Sequence, residues 1–167
     1  MTATQARARS VGGALAIAGL VALAMDSPEG VESCTLVSPP AGSGVTVAVA
    51  STAGERSVGL SGRDSIPHGG LLLEWPAKGR HPIWMADVRF ALDLIWLADD
   101  GTVLAVVPGA TPCHSEPCDL LEPQGSHDSR AVLELPDGDA ERIGIAPGVR
   151  VAYPPATPEA CAAGGHS

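Results

Sequence analysis

Lysine is nearly missing from this chain. Among 167 residues only Lys78 is one, and 10 basic side chains face 19 acidic ones, for a formal charge of −9. Gripping a phosphate backbone needs clustered Lys and Arg, so no nucleic-acid partner is expected. Aromatic side chains are almost as scarce, with Phe90, Tyr153, Trp75, Trp84 and Trp96 the whole set. Charged residues make up 17%, below the ~25% of ordinary soluble domains. No phosphate-cradling G-x-x-x-x-G-K-[ST] stretch or dinucleotide glycine fingerprint occurs, and no cofactor is expected. The nucleophile elbow G-x-S-x-G is also absent, because Gly59-Leu60-Ser61-Gly62 has the wrong spacing. What is abundant is 20 glycines and 15 prolines, which break the chain too often for long helices. The length suits one small domain.

The amino terminus reads as an address. Arg7 and Arg9 precede an uncharged run from Val11 to Met25, with small residues at Ala22 and Ala24. A positive start, a short apolar stretch and an A-x-A step make a secretory signal. Residues 1–24 are therefore expected to be removed, leaving a mature chain that begins at Met25. The alternative is an uncleaved membrane anchor through residues 11–25, although 15 apolar residues fall short of the ~20 of a full span. Either route puts the domain outside the cytoplasm, secreted or in the cell envelope.

Cysteines then read as disulfides, since all four lie after the signal and an exported chain meets oxidising conditions. Cys113 and Cys118 flank a four-residue loop stiffened by Pro112 and Pro117, so a local bridge is expected. Cys34 and Cys161 would pair by elimination, tying the ends of the mature chain. A metal reading competes: His114 and His127 lie near Cys113 and Cys118, and His81 is four residues from Met85. Reduced cysteines with histidines would suit zinc or copper. Bridging removes both thiolates, and C-x₄-C with scattered histidines is a weak pattern, so no metal site is expected.

Residues 25–44 are rich in Pro, Ser and Gly and read as a linker. Val45 to Ala50 alternates as a strand, Glu55 to Leu60 fits a helical turn, and Gly70 to Trp75 is an apolar run of strand length. Pro76 to Arg80 reads as a turn. Ile83–Met85 and Leu92–Leu97 are further strands, and Asp99-Asp100-Gly101 marks a hairpin into Thr102–Val107. A Pro/Cys/His loop spans 108–128, Ala131–Leu135 is a strand, and Asp137–Arg142 is a short helix capped by Asp. Val149–Tyr153 reads as the last strand and 154–167 as a flexible tail. The fold class is mainly β: a small single-domain β-sandwich or partly open barrel with one or two short helices.

Several of these pieces together carry a family signature. In order they are Glu55-Arg56-x-x-Gly59-Leu60-x-x-Arg63, Gly70-Leu71-Leu72-Leu73, Trp84-Met85, Leu92-Asp93-Leu94-Ile95, Asp100-Gly101, and Val132-Leu133-Glu134-Leu135 ahead of Gly148. Over residues 45–153 the chain resembles the domain of unknown function 192 family. The resemblance implies an exported bacterial β-sandwich-like domain with a suspected pocket and no established biochemical activity. Leu71 and Leu73 stand where that family usually has Met and Phe. Ala86-Asp87-Val88 replaces a Lys-Asn-Thr trio, and Ala91 replaces Pro, so any function resting on the polar trio is altered here.

Candidate ligand-binding residues are Arg63, Trp84, Met85 and Asp93. A carboxylate inside an apolar strand is costly unless paired, and Arg63 is the natural partner of Asp93. The pair either pins a loop to the sheet or, with Trp84 as a stacking platform, lines a cleft. The expected function is a non-catalytic exported domain that binds an unknown small ligand or envelope component. The alternative is an envelope hydrolase using Asp93 or Glu74, whose separation would decide the chemistry.

Overall fold

The computed structural model describes residues 33–123 and 128–163. The signal segment, the anchor reading of residues 11–25 and His127 lie outside the described residues. Among these residues no helix is long and apolar enough to cross a membrane.

Eight strands and a few short helical segments form in chain order: β1 (Cys34–Val37), β2 (Val45–Ala50), α1 (Ala53–Val58), a 3₁₀ turn (Pro67–Gly69), β3 (Leu71–Gly79), β4 (Ile83–Trp84), β5 (Leu92–Leu97), β6 (Val103–Ala110), β7 (Leu120–Leu121), β8 (Ser129–Pro136), α2 (Asp139–Arg142) and α3 (Pro158–Ala163). Six strands make one sheet in the order β1-β2-β3-β8-β5-β6, and β4 pairs with β7 in a separate ribbon. The domain is mainly β, as its alternating segments predict. All pairings in the large sheet are antiparallel except β2 with β3. A parallel pair needs a long crossover, and α1 with the 3₁₀ turn supplies it.

Both faces of the sheet are buried, because side chains alternate along each strand. Ala48, Leu71, Leu73, Leu92, Leu94, Trp96 and Val132 pack on one face beneath Leu60, Ile83, Met85 and Val88. Val47, Val49, Leu72, Ile95, Leu133 and Leu135 pack on the other beneath Ala140, Ile143, Ile145 and Val151. Strand β5, inside the sheet between β8 and β6, is buried at every position. Its hairpin to β6 turns at Asp99-Asp100-Gly101 as expected: Gly101 takes φ 79°, and Thr102 N–H donates to the Asp100 carboxylate at 3.0 Å. Glycine takes that left-handed conformation without steric penalty.

Several local expectations are corrected. Within the stretch read as a linker, Cys34–Val37 is an edge strand in register with Val45–Ala48. Strand β3 runs through Pro76 to Gly79, with a register break between Glu74 and Gly79, the kind of irregularity that admits proline. Helix α1 begins at Ala53 under a capping box, in which Thr52 Oγ1 accepts from Glu55 N–H and the Glu55 carboxylate accepts from Thr52 N–H. Residues 149–153 are not a strand. They cross the open side of the sheet and make one bridge to each edge, Arg150 to Thr102 beside β6 and Ala152 to Ser38 beside β1. The sheet therefore stays open, strapped by this segment. The tail read as flexible holds α3, which the Cys34–Cys161 disulfide fixes to β1. The second bridge, Cys113–Cys118, forms as expected.

Candidate functional site

Asp93 and Arg63 do not meet. Asp93 is 1% exposed, and its two carboxylate oxygens accept from Gly109 N–H at 3.0 Å and Ala140 N–H at 2.9 Å. It thus satisfies a donor in the first turn of α2, whose own N-cap, Gly138, offers no side chain. The expected Asp137 cap is replaced by a carboxylate from the middle of the sheet. Arg63 sits after α1, where its Nε donates to the Gly59 carbonyl at 3.3 Å. Asp93→Ala is expected to cost about 2–4 kcal/mol, by stranding two amide donors. Arg63→Ala should cost less than about 1 kcal/mol, as is usual away from buried networks. Denaturant unfolding of both variants checks this, and equal large losses would reinstate the pair.

Nor do Asp93 and Glu74 form a catalytic pair. Glu74 is in register with Ala131 and Asp93 with Leu135 on the intervening strand β8. Four residues along a strand and two strand spacings put the backbones on the order of 15 Å apart. Paired glycosidic carboxyl groups sit about 5–9.5 Å apart. The cysteines of C-x₄-C are bridged, so neither offers a thiolate to a metal. His81 lies stacked on Trp75, with centroids 3.8 Å apart, and burial lowers its pKa from the ordinary value.

Trp84 and Met85 do come together, at a cavity of about 90 Å³ between α1, β3 and the β4 segment. Ile83 and Met85 point into the core, whereas Trp84 between them is 51% exposed at the mouth. Opposite Trp84 on the ribbon stands Leu120, 61% exposed. The Leu60, Leu73, Val88 and Leu92 side chains help line the cavity. Arg56 flanks it and is committed elsewhere. Its guanidinium donates to the Glu74 carbonyl at 2.8 Å and to the Ser51 carbonyl, and lies over Trp75, 5.3 Å from the ring centroid.

Glu134, which the sequence marks only as part of the family signature, also lines this cavity. On β8, Leu133 and Leu135 pack on one face and Val132 on the other, and alternation gives Glu134 the face of Val132. Its register partners are Leu71 and Leu94. It is 4% exposed, and its Oε2 has no hydrogen-bond partner among the described residues. Burial pushes its carboxyl up to about 8, because a charged oxygen in an apolar wall loses its hydration. At neutral pH Glu134 is therefore a neutral acid, able both to donate and to accept a hydrogen bond. The signal was present: Ala131-Val132-Leu133-Glu134-Leu135 places an acid in an apolar run just as Leu92-Asp93-Leu94 does.

The model of the DUF192 family, Uncharacterized ACR, matches residues 37–153, a span that takes in the cavity and every strand of the sheet except most of β1. The chain belongs to the DUF192 family. Two solved structures share this DUF192 fold. One is a candidate transcription regulator from Sinorhizobium meliloti, 29% identical, with TM-score 0.60 over 72% of this chain and 92% of its own. The other is a protein of unknown function from Novosphingobium aromaticivorans, 25% identical, with TM-score 0.60 over 71% of this chain and 83% of its own. No curated protein matches the chain.

Proposed function

We propose that this DUF192 chain is an exported, non-catalytic domain that binds a small ligand in the cavity over Glu134. The observation that carries this reading is the Oε2 of a buried glutamate, unpartnered among the described residues, at a cavity open to solvent beside Trp84. A buried polar atom without a partner is rare in folded proteins, and a cavity that joins apolar side chains to a few polar ones, here Arg56, Ser57 and Ser61 beside Glu134, suits a small ligand. Export is supported by the Arg7–Met25 signal pattern and by two disulfides. The regulator description belongs to the Sinorhizobium protein; a chain with one lysine and a charge of −9 offers nucleic acid little to hold.

A fragment library screened by NMR and thermal shift tests the reading on protein recovered from the extracytoplasmic fraction. Hits should move the Met85 methyl and Trp84 indole signals and raise the unfolding free energy, by about 2.7 kcal/mol at a hundred times Kd. Intact mass should show a chain starting at Met25. Absence of any hit at Met85 and Trp84, or retention of the full-length chain in the cytoplasm, would overturn the corresponding half.

A further inference from the structure

We propose that the cavity over Glu134 takes the ammonium end of a small primary alkylamine, paired as a cation with the Glu134 carboxylate. This rests on the ligand-binding reading above and assigns its chemical class. The cavity walls Leu60, Leu73, Ile83, Met85, Val88 and Leu92 suit methylene groups, and Glu134 is the acidic residue among the side chains that line it. An engineered apolar cavity of about 150 Å³ holds benzene. By that measure about 90 Å³ accommodates a ligand end of about four heavy atoms. Trp84, half exposed at the mouth, offers a ring face to a passing cation, and the net negative charge of the chain favours its approach.

Arg56 also lines the cavity, but its guanidinium is already held by backbone carbonyls; the other charged groups on the surrounding elements are directed elsewhere. Glu74 on β3 lines the cleft with Leu72, and Asp93 on β5 is bound to backbone amides. Glu55 caps α1, and Arg63 donates to Gly59. Asp64 pairs with Arg89, and Asp87 and His68 are exposed. An arriving ammonium therefore meets Glu134 as its counterion. The step balances as one proton: the neutral Glu134 carboxyl releases its proton to solvent, and the alkylammonium, which keeps all of its own, becomes the partner of the carboxylate.

Such exchange gives a signature that a purely apolar pocket lacks. Alkylammonium affinity should rise about tenfold per pH unit between about pH 5 and 8, since each unit makes proton release easier, and then level off. Propylammonium chloride and 1-propanol, equal in heavy atoms, are titrated against the full domain by following the Trp84 indole and Met85 methyl signals. The wild type should bind propylammonium with that slope and 1-propanol with none. Glu134→Gln, which keeps the shape, should lose propylammonium binding at least tenfold and keep 1-propanol binding. A lysine with blocked ends forms a further arm: tighter binding than propylammonium identifies a peptide side chain as the source, and weaker binding a free amine. Equal binding of propylammonium and 1-propanol with no pH slope overturns the amine assignment while leaving a ligand pocket. Failure of both probes, and of the fragment library, overturns the pocket reading as well.

Discussion

Glu134→Gln is expected to remove a pH dependence from the stability of the folded domain. In the wild type the folded carboxyl titrates at about 8 against 4.5 for the ordinary group. Its folded pKa is raised, so its contribution is fully present below pH 4.5 and is lost as pH rises through 8. Between those values the unfolded chain has released the proton and the folded chain still holds it, which makes unfolding progressively easier. The whole loss is on the order of 4–5 kcal/mol. Glutamine has no proton to release. Subtracting its stability curve from that of the wild type cancels the remaining titratable groups, so the difference should be flat below pH 4 and favour the variant increasingly up to about pH 8. A parallel pair of curves would mean that Glu134 finds water or a partner in both charge states.

Breaking the Cys34–Cys161 bridge should have the other large effect. The two residues are 127 apart in sequence, and cross-linking so long a loop restricts the unfolded chain. The chain-entropy model gives about 5 kcal/mol for it, against about 2 kcal/mol for a bridge between residues five apart, such as Cys113–Cys118. The native state adds to the asymmetry. Cys34 is completely buried on the edge strand β1, and its bridge carries α3, so its loss also loosens the Cys34–Thr157 backbone pairing. Denaturant unfolding of the Cys34→Ser/Cys161→Ser double variant should show a loss of several kcal/mol with fraying of residues 154–163. A loss no larger than that of the Cys113→Ser/Cys118→Ser variant would place the stabilisation elsewhere.

The fold was legible wherever one local signal governs local structure. The valines of Val45–Ala50 and the apolar run Leu92–Leu97 announced strands, and Asp99-Asp100-Gly101 announced its hairpin. Thr52-x-x-Glu55 carries a capping box that places α1 more accurately than its apolar residues do. What sequence concealed was pairing at a distance. Cys34–Val37 is too short to read as a strand until Val45–Ala48 supplies its partner. Val149–Tyr153 has the composition of a strand but is drawn across the sheet edges. The two acids in apolar runs illustrate the limit best. Asp93 and Glu134 are indistinguishable by pattern, yet Asp93 meets two amide donors and Glu134 meets a cavity. Arg63 seemed the natural partner by charge, but backbone amides from β6 and α2 reach Asp93 instead.

The central claim is that Glu134 is a neutral acid at physiological pH. It is tested most directly by NMR of the wild-type domain labelled with ¹³C in glutamate, following the carboxyl shift of Glu134 as pH is raised and using Glu134→Gln to assign the signal. The account predicts a midpoint near 8. A midpoint at or below the ordinary 4.5 would mean that the carboxylate is already charged and satisfied, contradicting both the neutral acid and the proton release proposed for amine binding.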